Sequence, residues 1–512
     1  MRNYIIATAV TALLTALPAA AQNGGGFSQQ RGGVNQQQGG FNQSRSGVGG
    51  NSSGFSQNRA SNFSDYRQQL NAQYISLTRE RWQNFDSYRA QTPPDRDEKP
   101  VAPIQMSEDD AKKERQDRQV VIDAVVTPKR DNERAQPVAP VQETPDETAL
   151  LEFKYLGNPL SVRRPKNATF RLSGVSENAV ADAWEVLCQK QWNNLVVDCI
   201  KLRGQKQLCD WAYLCMLRDM SAALCGSGTN EATLLMAFVY SQSGYKIRLG
   251  DAGGRLEMLY ATKHIIYNRS YFNFDGEQFY TFNKEVKQIR INAAKYPKEQ
   301  SLSLWVPQTP QSGWQSSTQR TLTSKRYPEM SVHVTCNKLL LPFYESYPTS
   351  EVGGNFMTRW AMYANTPISD KTRTELYPQL QQALGGMSQQ QQVERLLNWV
   401  QTAFVYEYDD KVWGGDRAFF PDETLYYPYC DCEDRSILFT RLVRDIVGLK
   451  CILVYYPGHL ASAVCFTDQV NGDYIQTGGR RYVVCDPTYI GAPVGSTMPK
   501  MDNASAKVIQ LD

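Results

Sequence analysis

Apolar residues repeat at helical and strand-like intervals from about residue 148 to the end of the chain. Residues 178–225 and the stretch GTNEATLLMAFVYSQSG (228–244) predict helices, the second ending at Gly244. Alternating apolar and polar residues in SLSLWVP and SVHVTC predict strands within 286–350. Helices and short strands therefore mix along this part of the chain, which predicts an α+β fold.

The carboxy-terminal stretch gives the clearest order of elements. Ser388 and Gln391 predict a capping box at the start of one helix. The segment ILFTRLVRDIV has apolar residues at every fourth position and predicts a second helix, which ends at Gly448. The segments CILVYY, HLASAVCF and RRYVVC follow as predicted strands. We expect a helix packed on an antiparallel sheet.

The first residues of the chain are typical of an exported protein. Arg2 precedes a short apolar run from Ile5 to Leu17, and three alanines then supply a cleavage site before Gln22. This pattern predicts a signal peptide, so we expect the protein in the periplasm or cell envelope, with release from the cell as the alternative.

Low-complexity sequence follows the predicted signal peptide. Residues 23–60 are rich in Gly, Asn, Gln and Ser and predict disorder. Residues 61–90 place aromatic residues at helical spacing and predict a helix or helix pair, which docks on an envelope partner or on the body of the protein, or stays solvated. Residues 91–147 are rich in Pro and charge and predict a linker. The predicted organisation is therefore a signal peptide (1–21), a low-complexity region with a helical segment and linker (22–147), an α+β domain (148–290), a β-rich connecting region (291–380) and a carboxy-terminal domain (381–512).

The composition limits the function. The formal net charge is only +3, and no cluster of basic residues predicts a surface for nucleic acid. The 11 cysteines are an odd number, so at least one is outside any intramolecular disulfide. Most cysteines lie in apolar stretches and are expected to be small buried residues.

The stretch PYCDCEDRSILF (428–439) carries the candidate chemistry. A zinc site would need two further Cys or His ligands in a close pair, and the later cysteines are isolated, so we expect no metal and no other cofactor. Cys432 instead begins the predicted helix, where the helix dipole stabilises a thiolate and lowers a cysteine pKa. This is the position that a thiol nucleophile needs.

A base and an orienting carboxylate follow along the chain. The chain has three histidines, and His459 opens a predicted strand, whereas His264 and His333 are expected to be structural. Asp486 closes the next predicted apolar strand. If these two strands pair antiparallel, the start of one lies beside the end of the other. The pattern therefore predicts that Cys432, His459 and Asp486 meet as a catalytic triad.

These three blocks, DCEDRSILFTRLVRDIVGLK, GHLASAV and VVCDPTY, resemble the transglutaminase-like superfamily, which has the papain-like cysteine protease fold. The resemblance covers residues 381–495. It implies that Cys432 attacks an amide carbonyl to form a thioester, that His459 acts as general base and then acid, and that Asp486 orients the imidazole. Water or an amine would then resolve the acyl-enzyme.

Neighbouring residues leave alternatives open. Cys430 stands where many members of that superfamily have glycine, and it is either a reduced buried thiol or a redox partner that caps Cys432 as a disulfide. The backbone N–H of Cys432 is expected to form half of an oxyanion hole. Trp413, Tyr427 and Tyr429 are candidates for the second donor, or they line the core or a substrate groove.

An earlier stretch repeats the same order of elements. The segment GYKIRLG matches GLKCILVYY, and GGRLEMLY matches PGHLASAV. In both stretches the pair of segments follows a predicted helix. In the earlier stretch, Gly228, Arg255 and Phe282 fall where the later one has the cysteine, the histidine and the aspartate. Residues 175–290 therefore predict a degenerate copy whose aromatic strands bind a polypeptide or glycan. The alternative is an accidental match of two α+β segments.

Two functions follow from the sequence. The first is an exported thiol enzyme acting on amide bonds of peptides or proteins, with hydrolysis favoured over cross-linking because water is always present. The second is a non-catalytic envelope scaffold or binding protein with a vestigial triad. The expected partner is a peptide or protein substrate, with an envelope protein that binds residues 61–90 as a further one. The sequence does not indicate the oligomeric state.

Overall fold

The computed structural model describes residues 53–90, 99–130, 134–282 and 286–512, with side chains from residue 64 onward. Within these residues the chain is a mixed α+β protein. The predicted signal peptide, and the predicted disorder up to residue 52, lie outside the described residues. The helices are Ser53–Thr78 (α1), Glu108–Lys112 (α2), Glu177–Leu187 (α3), Asn193–Gln205 (α4), Asp210–Cys225 (α5), Asn230–Gln242 (α6), Leu341–Ser346 (α7), Thr358–Asn365 (α8), Asp370–Ala383 (α9), Gln389–Ala403 (α10), Asp409–Val412 (α11), Pro421–Tyr426 (α12) and Cys432–Leu442 (α13).

The described strands form two large sheets and several two-stranded ribbons. In chain order the strands are Gln83–Phe85 (β1), Tyr88–Ala90 (β2), Ile104–Gln105 (β3), Arg118–Gln119 (β4), Ala124–Val126 (β5), Thr148–Tyr155 (β6), Asn158–Pro165 (β7), Ile247–Asp251 (β8), Leu256–Ala261 (β9), His264–Ile266 (β10), Ser270–Phe274 (β11), Glu277–Thr281 (β12), Ile289–Ile291 (β13), Arg320–Thr323 (β14), Ser331–Val334 (β15), Ser350–Val352 (β16), Val405–Tyr406 (β17), Tyr429–Cys430 (β18), Lys450–Tyr456 (β19), His459–Cys465 (β20), Asp473–Thr477 (β21), Arg480–Cys485 (β22), Tyr489–Ile490 (β23) and Lys507–Gln510 (β24).

The carboxy-terminal sheet carries the candidate site. Among the described residues its strands follow the order β4-β21-β22-β20-β19-β24-β5, and the five central strands are antiparallel. Apolar side chains of α10 and α13, such as Leu396, Trp399 and Leu438, bury one face of this sheet. The predicted helix and three strands are confirmed, and so is the capping box of Ser388 and Gln391. The strand β21 was not predicted.

The amino-terminal sheet repeats this order. Its described strands follow β1-β13-β8-β9-β12-β11-β2, so helix α6 is followed by strands arranged as those after α13 are. The central strands β13-β8-β9-β12-β11 correspond to β24-β19-β20-β22-β21. The common order of five antiparallel strands favours the interpretation as a repeated unit over an accidental match.

The repeat differs from the predicted one at the start of the helix. Asn230 begins α6 as Cys432 begins α13, and Leu256 begins β9 as His459 begins β20. At the helix start Asn230, and not Gly228, therefore takes the place of Cys432. In the strand register Arg255 keeps the predicted place of His459, because Arg255 lies opposite Ala252 as His459 lies opposite Tyr456. The two hairpins have turns of equal length, with Gly253 and Gly254 between Ala252 and Arg255 in one and Pro457 and Gly458 between Tyr456 and His459 in the other. Phe282 follows β12 directly, as Asp486 follows β22.

Helix α1 docks on the body of the protein. Buried Arg67 donates hydrogen bonds to Gln242 at 3.0 Å and to Asn193 at 2.7 Å. The ring of Tyr74 stacks on that of Tyr296 with centroids 4.4 Å apart. Of the three alternatives for residues 61–90, docking on the body is therefore the one that the structure shows.

The prediction for this segment also needs two corrections. Helix α1 begins at Ser53, inside the stretch expected to be disordered. A helix pair is not formed, because the chain leaves α1 at Thr78 and residues 83–90 become edge strands of the amino-terminal sheet. The aromatic residues there serve strand contacts: Phe85 packs against Phe274 with centroids 5.3 Å apart.

The expected linker is part of the fold in its described residues. Strands β4 and β5 pair in parallel with β21 and β24, at opposite edges of the carboxy-terminal sheet. The chain between them crosses the face of the sheet opposite α13, where Val120 and Ile122 are buried and Val121 is 60% exposed. Alternating apolar residues in RQVVIDAVV explain this, but the surrounding charge and proline masked the pattern.

The connecting region 291–380 contains strands β14, β15 and β16, as expected, but its second half is largely helical. Helix α8 packs beside α13, and α9 lies over β15. The region therefore supports the candidate site from the side.

Candidate active site

Cys432 is the first residue of helix α13, as predicted. Asp431 precedes it in extended conformation, and the Asp431 backbone N–H donates to Asp434 Oδ2 at 3.3 Å. Asp434 Oδ1 also accepts from the Phe419 N–H at 2.8 Å. The start of the helix is therefore held by a buried carboxylate, and the Cys432 side chain is only 2% exposed.

His459 and Asp486 form the predicted pair. The imidazole Nε2 lies 2.9 Å from Asp486 Oδ2, and both side chains are buried. Because a carboxylate accepts, Nε2 carries the hydrogen, and a neutral ring then has its lone pair on Nδ1. Asp486 Oδ1 accepts from the backbone N–H groups of Thr488 at 2.8 Å and Tyr489 at 3.2 Å. The carboxylate is therefore fixed by its own loop.

The strand of His459 is in direct contact with the helix of Cys432. Ser436, one turn after Cys432, donates its hydroxyl hydrogen to the Leu460 carbonyl at 2.8 Å. Residues four apart lie on the same side of a helix. Cys432 therefore lies on the side of α13 that contacts this strand, one turn before Ser436. The thiol and the imidazole thus belong to adjoining positions of two packed elements.

The amino-terminal copy shows how close these positions can be. There the side chain of Asn230, the first residue of α6, accepts a hydrogen bond from the N–H of Leu256 at 2.9 Å. Asn230 is the equivalent of Cys432, and Leu256 directly follows Arg255, the equivalent of His459. The shared strand order therefore brings the start of the helix to the start of the strand.

The structure gives the thiol a different hydrogen-bond partner. Cys432 Sγ lies 3.1 Å from Glu433 Oε2 and donates to it. Among the described residues, His459 Nδ1 has no hydrogen-bond partner. The structure thus joins two of the three predicted residues and holds the sulfur out of hydrogen-bonding contact with the ring.

Buried carboxylates surround the thiol. The side chains of Asp431, Cys432 and Glu433 bring ligand-type atoms within 4.8 Å of one another, and Asp409 does the same with Asp431 and Asp434. Burial, and then the charge of the neighbouring carboxylates, raises the pKa of Asp431 and of Asp434 well above the usual range. These groups accept hydrogen bonds from the protein, and we assign no metal to them.

Arg359 supplies positive charge beside this carboxylate cluster. Its side chain is fully buried, and Nη2 pairs with Asp416 Oδ2 at 2.5 Å. Asp416 and Glu433 both raise the pKa of Arg359 against the effect of its burial. Sequence reasoning missed this arginine, because nothing in its local pattern links residue 359 to residue 433.

The oxyanion candidates separate into two places. Trp413 and Tyr427 pack edge to face with centroids 4.8 Å apart, under the guanidinium of Arg417. The Tyr427 hydroxyl donates to Glu345 at 3.1 Å. Tyr429 is 40% exposed on strand β18. A role of any of these residues in an oxyanion hole stays a prediction.

Cys430 is buried and lies on β18, with its sulfur 3.8 Å from the Val405 carbonyl. Burial raises the pKa of this thiol. All the cysteines lie in described residues and none forms a disulfide, and Cys188, Cys225 and Cys465 alone are partly exposed. A disulfide between Cys430 and Cys432 stays a prediction for oxidising conditions.

Tyr406 is a further residue at the site that the sequence did not single out. Its strand pairs with that of Cys430, and its pKa is raised by burial first and then by the nearby Cys432 and Asp431. Its hydroxyl is buried with no hydrogen-bond partner among the described residues. The sequence feature that could have pointed to Tyr406 is the segment YEYDD, which begins with this residue and precedes the candidate nucleophile.

No protein-family model, curated protein or solved structure matches this chain. In the part of the chain that the structure describes, every helix is too short or too polar to traverse a bilayer.

Proposed function

We propose that the protein is an exported thiol enzyme of the transglutaminase-like kind, which attacks amide bonds of peptides or proteins. The observation that carries this proposal is the buried hydrogen bond between His459 and Asp486. Its geometry leaves Nδ1, the basic nitrogen of the neutral ring, without a partner beside the helix of a cysteine.

The chemistry follows from the three side chains. His459 Nδ1 takes the proton of the Cys432 thiol, and the thiolate adds to the amide carbonyl carbon. The imidazolium, held by Asp486, then protonates the departing amine as the C–N bond breaks and a thioester forms. Water attacks the thioester, gives its proton to Nδ1, and releases the carboxylic acid and the free thiol.

Hydrolysis is favoured over cross-linking in this proposal. Both reactions share the thioester and differ only in whether water or a primary amine attacks it. Water needs no binding site, whereas an amine acceptor needs one. The periplasm or cell envelope is the proposed compartment.

The described state is a resting state in this proposal. Cys432 is 2% exposed, and its hydrogen is directed to Glu433 rather than to His459. Rotation of the Cys432 side chain away from Glu433 would bring the sulfur toward the strand that Ser436 contacts. Substrate entry must accompany this rotation, since both reacting side chains are buried.

A specific observation favours the second candidate, a non-catalytic scaffold. The thiol lies among buried carboxylates, and negative charge close to a sulfur disfavours its thiolate form. If the cluster holds Cys432 as an inert thiol, the His459–Asp486 pair is a vestige that stabilises the sheet. The two proposals differ in the reactivity of one sulfur.

Alkylation measures that reactivity. The intact protein is treated with iodoacetamide near neutral pH, and the labelling rate of each cysteine is followed by mass spectrometry. The enzyme proposal expects Cys432 to react faster than the partly exposed Cys465, and His459→Gln to slow it at least tenfold. His333→Gln is the matched control, because His333 is exposed on β15 and should leave the rate unchanged. Slow labelling of Cys432 in every variant supports the scaffold.

A second assay separates the two outcomes of the thioester. The protein is incubated with a glutamine-rich protein and a fluorescent primary amine, and both ammonia release and amine incorporation are measured. Ammonia without incorporation indicates hydrolysis, and incorporation indicates transfer. Cys432→Ala should abolish both signals, and Cys430→Ala should leave them.

A further inference from the structure

Gln401 makes an unusual set of contacts with the loop that carries Asp486. Its side chain on helix α10 is 2% exposed. Nε2 donates toward three backbone carbonyls, those of Asp486 at 3.0 Å, Tyr489 at 2.8 Å and Ala492 at 3.1 Å. Oε1 accepts from the Gly491 N–H at 3.1 Å. One side-chain amide therefore binds four backbone groups within residues 486–492.

The loop is closed from two directions. The Asp486 carboxylate binds the N–H groups of Thr488 and Tyr489 from inside the loop. Gln401 binds the carbonyls from the side of α10. The other carboxylate oxygen of the same aspartate is hydrogen-bonded to the imidazole of His459. The position of the carboxylate therefore depends on a backbone that Gln401 holds.

Gln401 also joins this loop to the helix of the thiol. Its backbone carbonyl accepts from Arg435 Nη1 at 3.0 Å, and the Phe404 carbonyl accepts from Nη2 at 3.0 Å. Arg435 is fully buried and lies three residues after Cys432 on α13. The end of α10 is thus a common support for Asp486 and for the start of α13.

We infer that Gln401 is a positioning residue for the proposed reaction. It sets the orientation of Asp486 and, through Asp486, the tilt and tautomer of His459. The inference rests on the proposed function for its catalytic consequence, but its structural part concerns the imidazole alone. A glutamine suits this place because one side chain supplies both the donors for three carbonyls of the loop and the acceptor for the N–H of Gly491 and the amide of Asn398.

The test compares Gln401→Met with Thr402→Val. Methionine has a similar length but neither donates nor accepts well, so the loop loses its support. Thr402 is the next residue on α10, and its hydroxyl accepts from the Lys325 N–H at 2.9 Å, away from the loop. The two variants disturb the same helix and differ in whether residues 486–492 are affected.

The first readout needs no substrate. Labelling with ¹⁵N-histidine gives signals from only three side chains, and the Nε2 proton shared with Asp486 should appear downfield and protected from exchange. We expect Gln401→Met to remove or broaden this signal while Thr402→Val keeps it. The second readout is the alkylation rate of Cys432, which should fall at least tenfold in Gln401→Met only.

The outcomes separate the inference from the proposed function. If Gln401→Met keeps the protected proton and the alkylation rate of the unmodified protein, Gln401 is only structural and the inference is overturned. If the proton is lost but Cys432 is unreactive even in the unmodified protein, the positioning stands and the enzyme proposal fails. Should Gln401→Met not fold, Gln401→Glu keeps the length and the acceptor, lacks the amide donors, and carries the same comparisons.

Discussion

The hydroxyl of Ser436 and the carbonyl of Leu460 are joined at 2.8 Å, which fixes the helix of the candidate nucleophile to the strand of the candidate base. Both residues are fully buried, and Leu460 directly follows His459. Strand carbonyls at such a place would otherwise bind a neighbouring strand or water. This bond therefore determines where the start of α13 stands relative to the imidazole.

Replacing Ser436 with alanine should destabilise the protein by about 1–2 kcal/mol, because the Leu460 carbonyl stays buried and loses a hydrogen-bond donor. Urea unfolding measures the free energy change. Ser331→Ala is the control, since Ser331 also donates or accepts through its hydroxyl but is exposed on β15. Equal stability of the two variants would show that the bond does not hold the helix.

Replacing Glu433 with glutamine should make Cys432 more reactive. The substitution removes a negative charge 3.1 Å from the sulfur, and less negative charge favours the thiolate. We expect alkylation to accelerate about tenfold, which corresponds to a decrease of about one unit in the thiol pKa. The control is Glu407→Gln, a partly exposed residue paired with Lys411. An unchanged rate would mean that Glu433 does not restrain the thiol.

Val120→Asp should lower the free energy of unfolding by about 2–4 kcal/mol, because it places a charge against the covered face of the carboxy-terminal sheet. Val121→Asp should lower the free energy of unfolding by less than about 0.5 kcal/mol, since that side chain is exposed. Thermal unfolding of the two variants compares them directly. Similar small losses would indicate that residues 118–126 behave as the linker that the composition suggested.

The pH dependence of stability should include a contribution from Glu423. Burial raises its pKa to about 7 from the usual 4.5, although Arg417 lies 2.6 Å away and opposes this shift. The folded protein then holds this proton more tightly than the unfolded chain does. Its contribution is therefore complete below about pH 4.5 and decreases as the pH rises to about 7, by up to about 3 kcal/mol.

Urea unfolding at several pH values between 4.5 and 7 tests this contribution. In Glu423→Gln the decrease in stability over that range should be shallower than in the unmodified protein. The comparison uses the slope with pH, because the substitution also weakens the pairing with Arg417 and shifts the whole curve. Glu345→Gln, which alters a nearby exposed hydrogen bond of Tyr427, should keep the original slope. Identical slopes for Glu423→Gln and the unmodified protein would contradict the raised pKa.

Local pattern was sufficient for the elements around the candidate site. The fourfold spacing in α13, the Pro457–Gly458 turn and the alternation in β20 and β22 depend only on neighbours in sequence, and these predictions are confirmed. The contact of His459 with Asp486 followed from antiparallel pairing alone. It could be predicted because both residues lie at strand ends.

Contacts between distant segments were not predictable in this way. Gln401 and Arg359 lie on helices whose sequence gives no sign of a polar partner 57 to 91 residues away. Strands β4 and β5 have two or three residues each, too few to show a period. The contact of Glu433 with the thiol depends on side-chain rotation, which the local sequence does not determine.

The pairing of β4 and β5 with β21 and β24 also decides when this protein can finish folding. Segments that leave the ribosome early must wait for partners more than 350 residues later, such as the Arg118 and Asp473 side chains that bond at 2.7 Å. Pairings of such separation form slowly and leave apolar strands uncovered in the meantime. The carboxy-terminal sheet is complete only when the strand Lys507–Gln510 has been synthesised, because it joins β19 to β5.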